Sequence, residues 1–233
     1  MGSLFSLEDC FLAKKKWQRV LTGITREKMA GVPESVRDVV AYLDLYMALL
    51  ARLPTVLKHG YPIMIAAKHD MPIDNAAASS LKKFAGALRH DLLSWHKYAE
   101  SFLGGPKEVP SQDPISPYET VFDFDNLWYG AVFMGYWTSM LVVTSFISLV
   151  EPHPEWEEDN RARARNIFRS FENVSKGIMG PYRVGFSMRI SYDVADVRTQ
   201  HWMRQLLDRM SGLYGAAGSA GYPPVAPNDF NYN

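Results

Sequence analysis

Six histidines, one cysteine and a group of arginine and aromatic side chains in the second half are the residues of this chain best suited to chemistry. His59, His69, His90, His96, His153 and His201 include no pair four residues apart, the spacing at which one helix presents two imidazoles to a metal ion. Cys10 is the sole cysteine, which excludes an internal disulfide framework and any cysteine-based zinc site; it fits a reducing compartment or a small buried apolar position. No metal site and no cofactor are expected. His96 and Glu100 stand four apart and could act as a base and its orienting carboxylate, although a surface hydrogen bond explains them as well. The patterns G-x-S-x-G, G-x-x-x-x-G-K-S/T and G-x-G-x-x-G are absent, so no catalytic residue is assigned. Arg183, Arg189, Tyr192, His201 and Trp202 place cationic and aromatic groups near a central helix that carries Trp128, Tyr136 and Trp137. These eight are the candidate ligand-binding residues, with core packing and interhelical ion pairs as the simpler explanation of the same set.

The element that must position them runs from Asp123 to Val150 and carries no charge between Asn126 and Val150. Such a run is long enough to cross a bilayer. Asn126, Tyr129, Tyr136, Thr138, Ser139, Thr144, Ser145 and Ser148 interrupt it, however, and polar groups in lipid find no partners. Its flanks, Asp123, Asp125, Glu151 and Glu155, are acidic, whereas an orientation in the membrane is set by Lys and Arg. The expectation is a soluble core helix capped by Asp123 or Asp125, with no membrane partner.

Around it the apolar spacing predicts further helices. Ser6 caps a first one through Phe11, Leu12, Trp17 and Val20 to Gly23. Pro33 opens a second, whose apolar face is Val36, Val39, Val40, Leu43, Met47 and Leu50. Gly60, Pro62 and Pro72 leave only a short helix near Met64. A long helix from Asn75 to Leu103 carries Leu81, Phe84, Leu88, Leu92, Trp95, Ala99 and Phe102. Residues 104–118, with four prolines, read as a mobile loop. From Asp159 to Ile178, Ile167, Phe168, Phe171, Val174 and Ile178 form one face and Arg161, Arg165 and Arg169 another. The segment from Tyr182 to Val194 alternates like a strand, yet it has no partner strand and is expected to be helical. A last helix runs from Asp196 to Leu213. The fold class is all-α, a bundle of about six to eight helices in a single domain over residues 1–214, with a disordered tail over 215–233.

Composition narrows the function classes. Hydrophobic residues make up 47%, which suits one globular core. Lys plus Arg and Asp plus Glu are 25 each, so no net field attracts a polyanion, and nucleic-acid binding lacks its usual driving term. No secretory signal is recognisable at the start, while Gly2 and Ser6 fit the short myristoylation pattern M-G-x-x-x-S.

Four stretches, NLWYGAVFMGYWTSMLVV, ARNIFRSFENV, MGPYRVGFSMRISYDVA and the helix opening at Trp202 in HWMRQLL, together resemble the fungal-specific transcription factor domain. That all-helical region lies downstream of the zinc binuclear cluster in many fungal regulators. The likeness covers roughly residues 120–213 and is one of layout. It implies a nuclear regulator, of the kind that controls pathway or secondary-metabolite genes, whose partner is another transcription regulator; the cytoplasm is the alternative location. The chain departs from the family in the zinc cluster, which needs six cysteines where only Cys10 exists. No direct nucleic-acid contact is therefore expected. The alternative is a cofactor-independent enzyme or small-molecule-binding protein of fungal specialised metabolism, with a closed helical pocket lined by Trp128, Tyr136 and Arg183.

Overall fold

The structure, a computed structural model, describes residues 31–212 together with 10–14, 16, 17, 19, 29, 220 and 222. The expected first helix from Ser6, the Gly2 pattern and the tail from 215 fall largely outside the described residues. Among those described, seven helices of twelve or more residues and one of five account for most of the chain, and the protein is all-α apart from one short hairpin. Two compact units share two helices. One unit comprises residues 1–103 and 139–158, the other 104–138 and 159–233.

In the first unit, α1 (Glu34–Leu50), α2 (Leu53–Lys68), α3 (Asn75–His96) and the single turn α4 (Ala99–Leu103) surround the second half of α5 (Leu127–Val150). Asp74 caps α3 by accepting from the backbone N–H groups of Ala76 and Ala77. Leu81, Ala85, Leu88, Leu92 and Trp95 then bury one stripe of that helix. Trp95 meets Tyr42 of α1 twice: its indole N–H donates to the Tyr42 carbonyl at 3.2 Å, and the Tyr42 hydroxyl donates to the Trp95 carbonyl. The Tyr42 ring stacks on Trp95 and Phe102 with centroids 5.0 and 4.5 Å apart.

Three expectations need correction here. The helix predicted as continuous from Asn75 to Leu103 breaks after His96, so His96 and Glu100 do not share a helix. The short helix expected near Met64 is a full one, Leu53–Lys68. Pro62 is tolerated because it sits on the exposed side, where water can meet the carbonyl left without its N–H partner. Gly60 permits the close approach to α5, since a Cβ there would collide with the Phe146 ring. Finally, α1 buries Tyr42, Tyr46 and Leu49 rather than the apolar face read from its spacing. Val36 and Met47 of that face are 46% and 58% exposed.

The second unit holds a hairpin of β1 (Lys107–Pro110) and β2 (Thr120–Asp123), with Lys107 opposite Asp123 and Pro110 opposite Thr120. It also contains the first half of α5, most of α6 (Pro154–Val174), α7 (Gly180–Ser191) and α8 (Val197–Ser211). The segment expected to be a loop over 104–118 thus contributes a strand. A two-stranded ribbon is marginal alone. Here the side chains of α6 hold it. Arg169 donates to the Thr120 carbonyl at 3.0 Å and its hydroxyl at 2.9 Å, pairs with Glu108 at 3.1 Å and lies over the Phe122 ring. Glu172 accepts from Ser111 Oγ at 2.6 Å and from the Gln112 backbone N–H at 2.7 Å.

Asn126, rather than Asp123 or Asp125, caps α5 by accepting from the Trp128 backbone N–H at 2.9 Å, because Asp123 is occupied in β2 and by Asn173. The segment read as strand or helix is helical, as expected. Asp196 caps α8 through the Thr199 backbone N–H. Both α5 and the stretch Glu34–Lys68 are long and apolar enough to cross a bilayer by length and composition; 67% of the apolar window of α5 is buried.

Candidate functional site

Of the eight residues singled out from sequence, all fall in the second unit, and the structure sorts them into several settings. Trp137 closes a ring of four aromatic side chains with Phe122, Phe124 and Phe133, each step 5.8 to 6.5 Å between centroids. Trp202 belongs to a second such ring with Tyr118, Phe168 and Phe171. Tyr136 is buried in α5 and His201 is half-buried on α8. Arg189 pairs with Asp193 at 3.6 Å and lies over the Tyr222 ring, which Tyr192 also meets edge-on at 5.1 Å. Trp128 and Arg183 come together, with the guanidinium 5.6 Å from the indole centroid.

A clamp that the sequence does not announce holds the loop before β2. Asp113 accepts from the Trp202 indole N–H at 2.9 Å, from Arg209 and from the Ile115 backbone N–H. Burial pushes its carboxyl pKa up, but the hydrogen bonds from Arg209, Trp202 and Ile115 and the Arg209 charge outweigh that and hold it below the usual carboxylate range. These are tethering interactions. None leaves a reactive group facing open space.

The histidines do not assemble a catalytic set either. An open cleft of about 430 Å³ is lined by Ser148, Pro152, His153, Pro154 and Glu157. Within it, Ser148 Oγ donates to the Ser145 carbonyl and His153 Nδ1 accepts from the Glu155 backbone N–H, so neither is set up as a nucleophile with its base. Among the described residues, no group of three or more His, Cys, Asp or Glu could hold a metal ion.

The feature with the character of a recognition site is the turn between α6 and α7. Helix α6 ends at Val174, four residues before the predicted end at Ile178. Gly177 then takes φ +74°, a region favouring glycine, and the Gly180 N–H closes the turn on the Gly177 carbonyl at 2.9 Å. A Cβ on Gly180 would overlap the Ser175 carbonyl oxygen. Arg183 reaches back from α7 and donates to the carbonyls of Val174, at 2.9 Å, and Lys176, satisfying acceptors that a helix end leaves open. Desolvation lowers the Arg183 pKa, so the pairing is made in a partly dry setting. What this turn displays is apolar: Ile178 is 71% exposed, and Met179 and Tyr182 are exposed beside it. Trp128, 54% exposed, lies under the same Arg183 that pins the turn.

Ile178 was expected on the buried face of its helix; the early end of α6 turns it outward instead. Sequence reasoning missed the display. Its signal was Gly177 and Gly180–Pro181 bracketing two large apolar residues. No family model matches the chain, and no curated protein or solved structure is detectably similar to it.

Proposed function

We propose that the chain is a transcription-factor-like regulatory protein that works by binding a protein partner, without contacting DNA itself, in the nucleus. The observation that carries this is the turn over residues 176–183. Two glycines and the Arg183 bonds fix its backbone, and it spends that order on holding Ile178, Met179 and Tyr182 in solvent beside Trp128. Met, Tyr, Trp and Arg are the side chains enriched at interface centres, and a preformed display reduces the ordering cost of association. An enclosed pocket for a small substrate is less well supported, since Trp128 and Arg183 meet at an exposed position while Tyr136 is buried.

The test is capture from the native host with wild-type protein and Ile178→Asp. The proposal expects a protein bound by wild type and lost with the variant, whose circular dichroism is unchanged. Retention of the same protein by Ile178→Asp overturns it. So does a nanomolar, sequence-specific complex of the purified chain alone with promoter DNA at physiological salt.

A further inference from the structure

Helix α1 carries a second surface, independent of the turn. Val36, Val40, Leu43, Met47 and Leu50 are spaced 4-3-4-3, the a/d repeat of a coiled-coil seam. This seam is not the face that α1 turns inward, which is Tyr42, Tyr46 and Leu49. The short 3-10 turn Phe11–Ala13 touches α1 yet leaves Val36 and Met47 about half exposed, with Val40, Leu43 and Leu50 half-buried. The seam is two heptads long, about four helical turns, and its exposure leaves it open to docking.

The charges beside it say what fits. In the heptad frame, Arg37 and Asp44 both occupy e positions on the same flank, seven residues apart. Arg37 is exposed and Asp44 half-buried, and among the described residues neither side chain makes an ion pair within the chain. We propose that this seam is the interface between two copies of this chain, paired antiparallel through α1.

A two-fold axis perpendicular to the helix and level with the midpoint between Val40 and Ala41 brings Arg37 of each copy to Asp44 of the other. The Arg37–Asp44 pair is thereby made twice, once on each side of the axis, as an isologous contact requires. The same axis staggers the seam residues, so each side chain of one copy falls between two of the other, the knobs-into-holes arrangement. A parallel pair would instead set the e flank against g positions, which are Val39 and the buried Tyr46 and hold no charge. Glu34, Asp38 and Asp44 outnumber Arg37 along α1, which argues against an anionic lipid surface as the occupant. A single helix pair is a small interface, so the dimer is weak and concentration-dependent.

Sedimentation equilibrium on the full chain tests this. Wild type is expected to pass from 26.4 kDa monomer to dimer within roughly the micromolar to sub-millimolar range. Val40→Asp should abolish the dimer. Arg37→Asp alone and Asp44→Arg alone each place like charges together twice and should weaken it about tenfold. An equimolar mixture of those two variants should form a heterodimer of near wild-type affinity, and the double swap should recover the homodimer. Circular dichroism checks that each variant folds, because Val40 and Asp44 are half-buried; should Val40→Asp unfold, Met47→Asp at an exposed seam position takes its place and should likewise abolish the dimer. The proposal is overturned if wild type stays monomeric at roughly 500 µM. It is equally overturned if single swaps leave the dimer unchanged, if the mixture fails to restore it, or if the monomer instead co-sediments with phosphatidylserine vesicles through the same residues. None of these outcomes bears on the turn at Ile178.

Discussion

The first unit and the 104–125 stretch of the second are held by different forces. In the first, order comes from apolar stripes and stacked rings, with Tyr42 between Trp95 and Phe102 and an α3 stripe in which every third or fourth residue is buried. In the second, the 104–125 stretch has little apolar periodicity and is fixed by charged and polar side chains of α6 and α8: Arg169, Glu172 and Arg209, with Trp202 adding an indole N–H. Periodicity therefore reports the first mode and is blind to the second, because a hydrogen bond that Glu172 accepts from a backbone N–H sixty residues away leaves no local pattern.

The contrast can be broken by substitution, beginning where the effect is largest. Trp137→Ala removes a buried side chain packed on Phe122 and Phe133 and should cost about 3–5 kcal/mol in urea unfolding. A loss under about 1 kcal/mol would mean that the aromatic ring of four is not a core. Asp113→Ala should cost about 1–3 kcal/mol, since it leaves the indole N–H of the buried Trp202 without its acceptor. A second substitution there, Trp202→Phe on the Asp113→Ala background, should add less than it does alone, which a double-mutant cycle measures.

The two units should also differ in their response to pH. The Asp113 carboxyl pKa is lowered in the folded protein, so its contribution is present above the unfolded value near about 4 and is lost as pH falls through the folded pKa. Burial raises the Tyr42 pKa to about 12, so its contribution is present below the unfolded value and is lost as pH rises from 10.0 to about 12. Hydrogen exchange followed along the chain should show acid loosening residues 111–118 first and alkali loosening α1 and α3 most, with a smaller alkaline effect around Tyr118, whose pKa burial also raises. The smallest effect is expected at Met47→Lys, within about 0.5 kcal/mol when measured at concentrations where the chain is monomeric, because that side chain is exposed despite its place in a strong apolar pattern.

Much of the fold was legible. The apolar stripe of α3, the existence of α8 and the helicity of Gly180–Ser191 follow from spacing and from the lack of a partner strand. The face of α1 was misread because that helix is apolar on two adjacent sides, and spacing cannot say which of them the core takes. The hairpin was hidden by prolines, one of which ends β1 at Pro110. As for the site, Trp128 and Arg183, read from sequence as lining a closed pocket with Tyr136, meet each other at an exposed position. The turn depends on a positive φ at Gly177 and on a bond from Arg183 to a carbonyl nine residues back, neither visible in periodicity.

The central claim is that the turn is displayed in order to be bound. A photo-crosslinking amino acid placed at residue 178 in the native host tests it directly, with the same group at Ser116 of the clamped loop as the control. The account predicts a discrete protein adduct from residue 178, absent from residue 116 and lost on adding Trp128→Ala. Equal labelling from both positions, or none from residue 178, would contradict it.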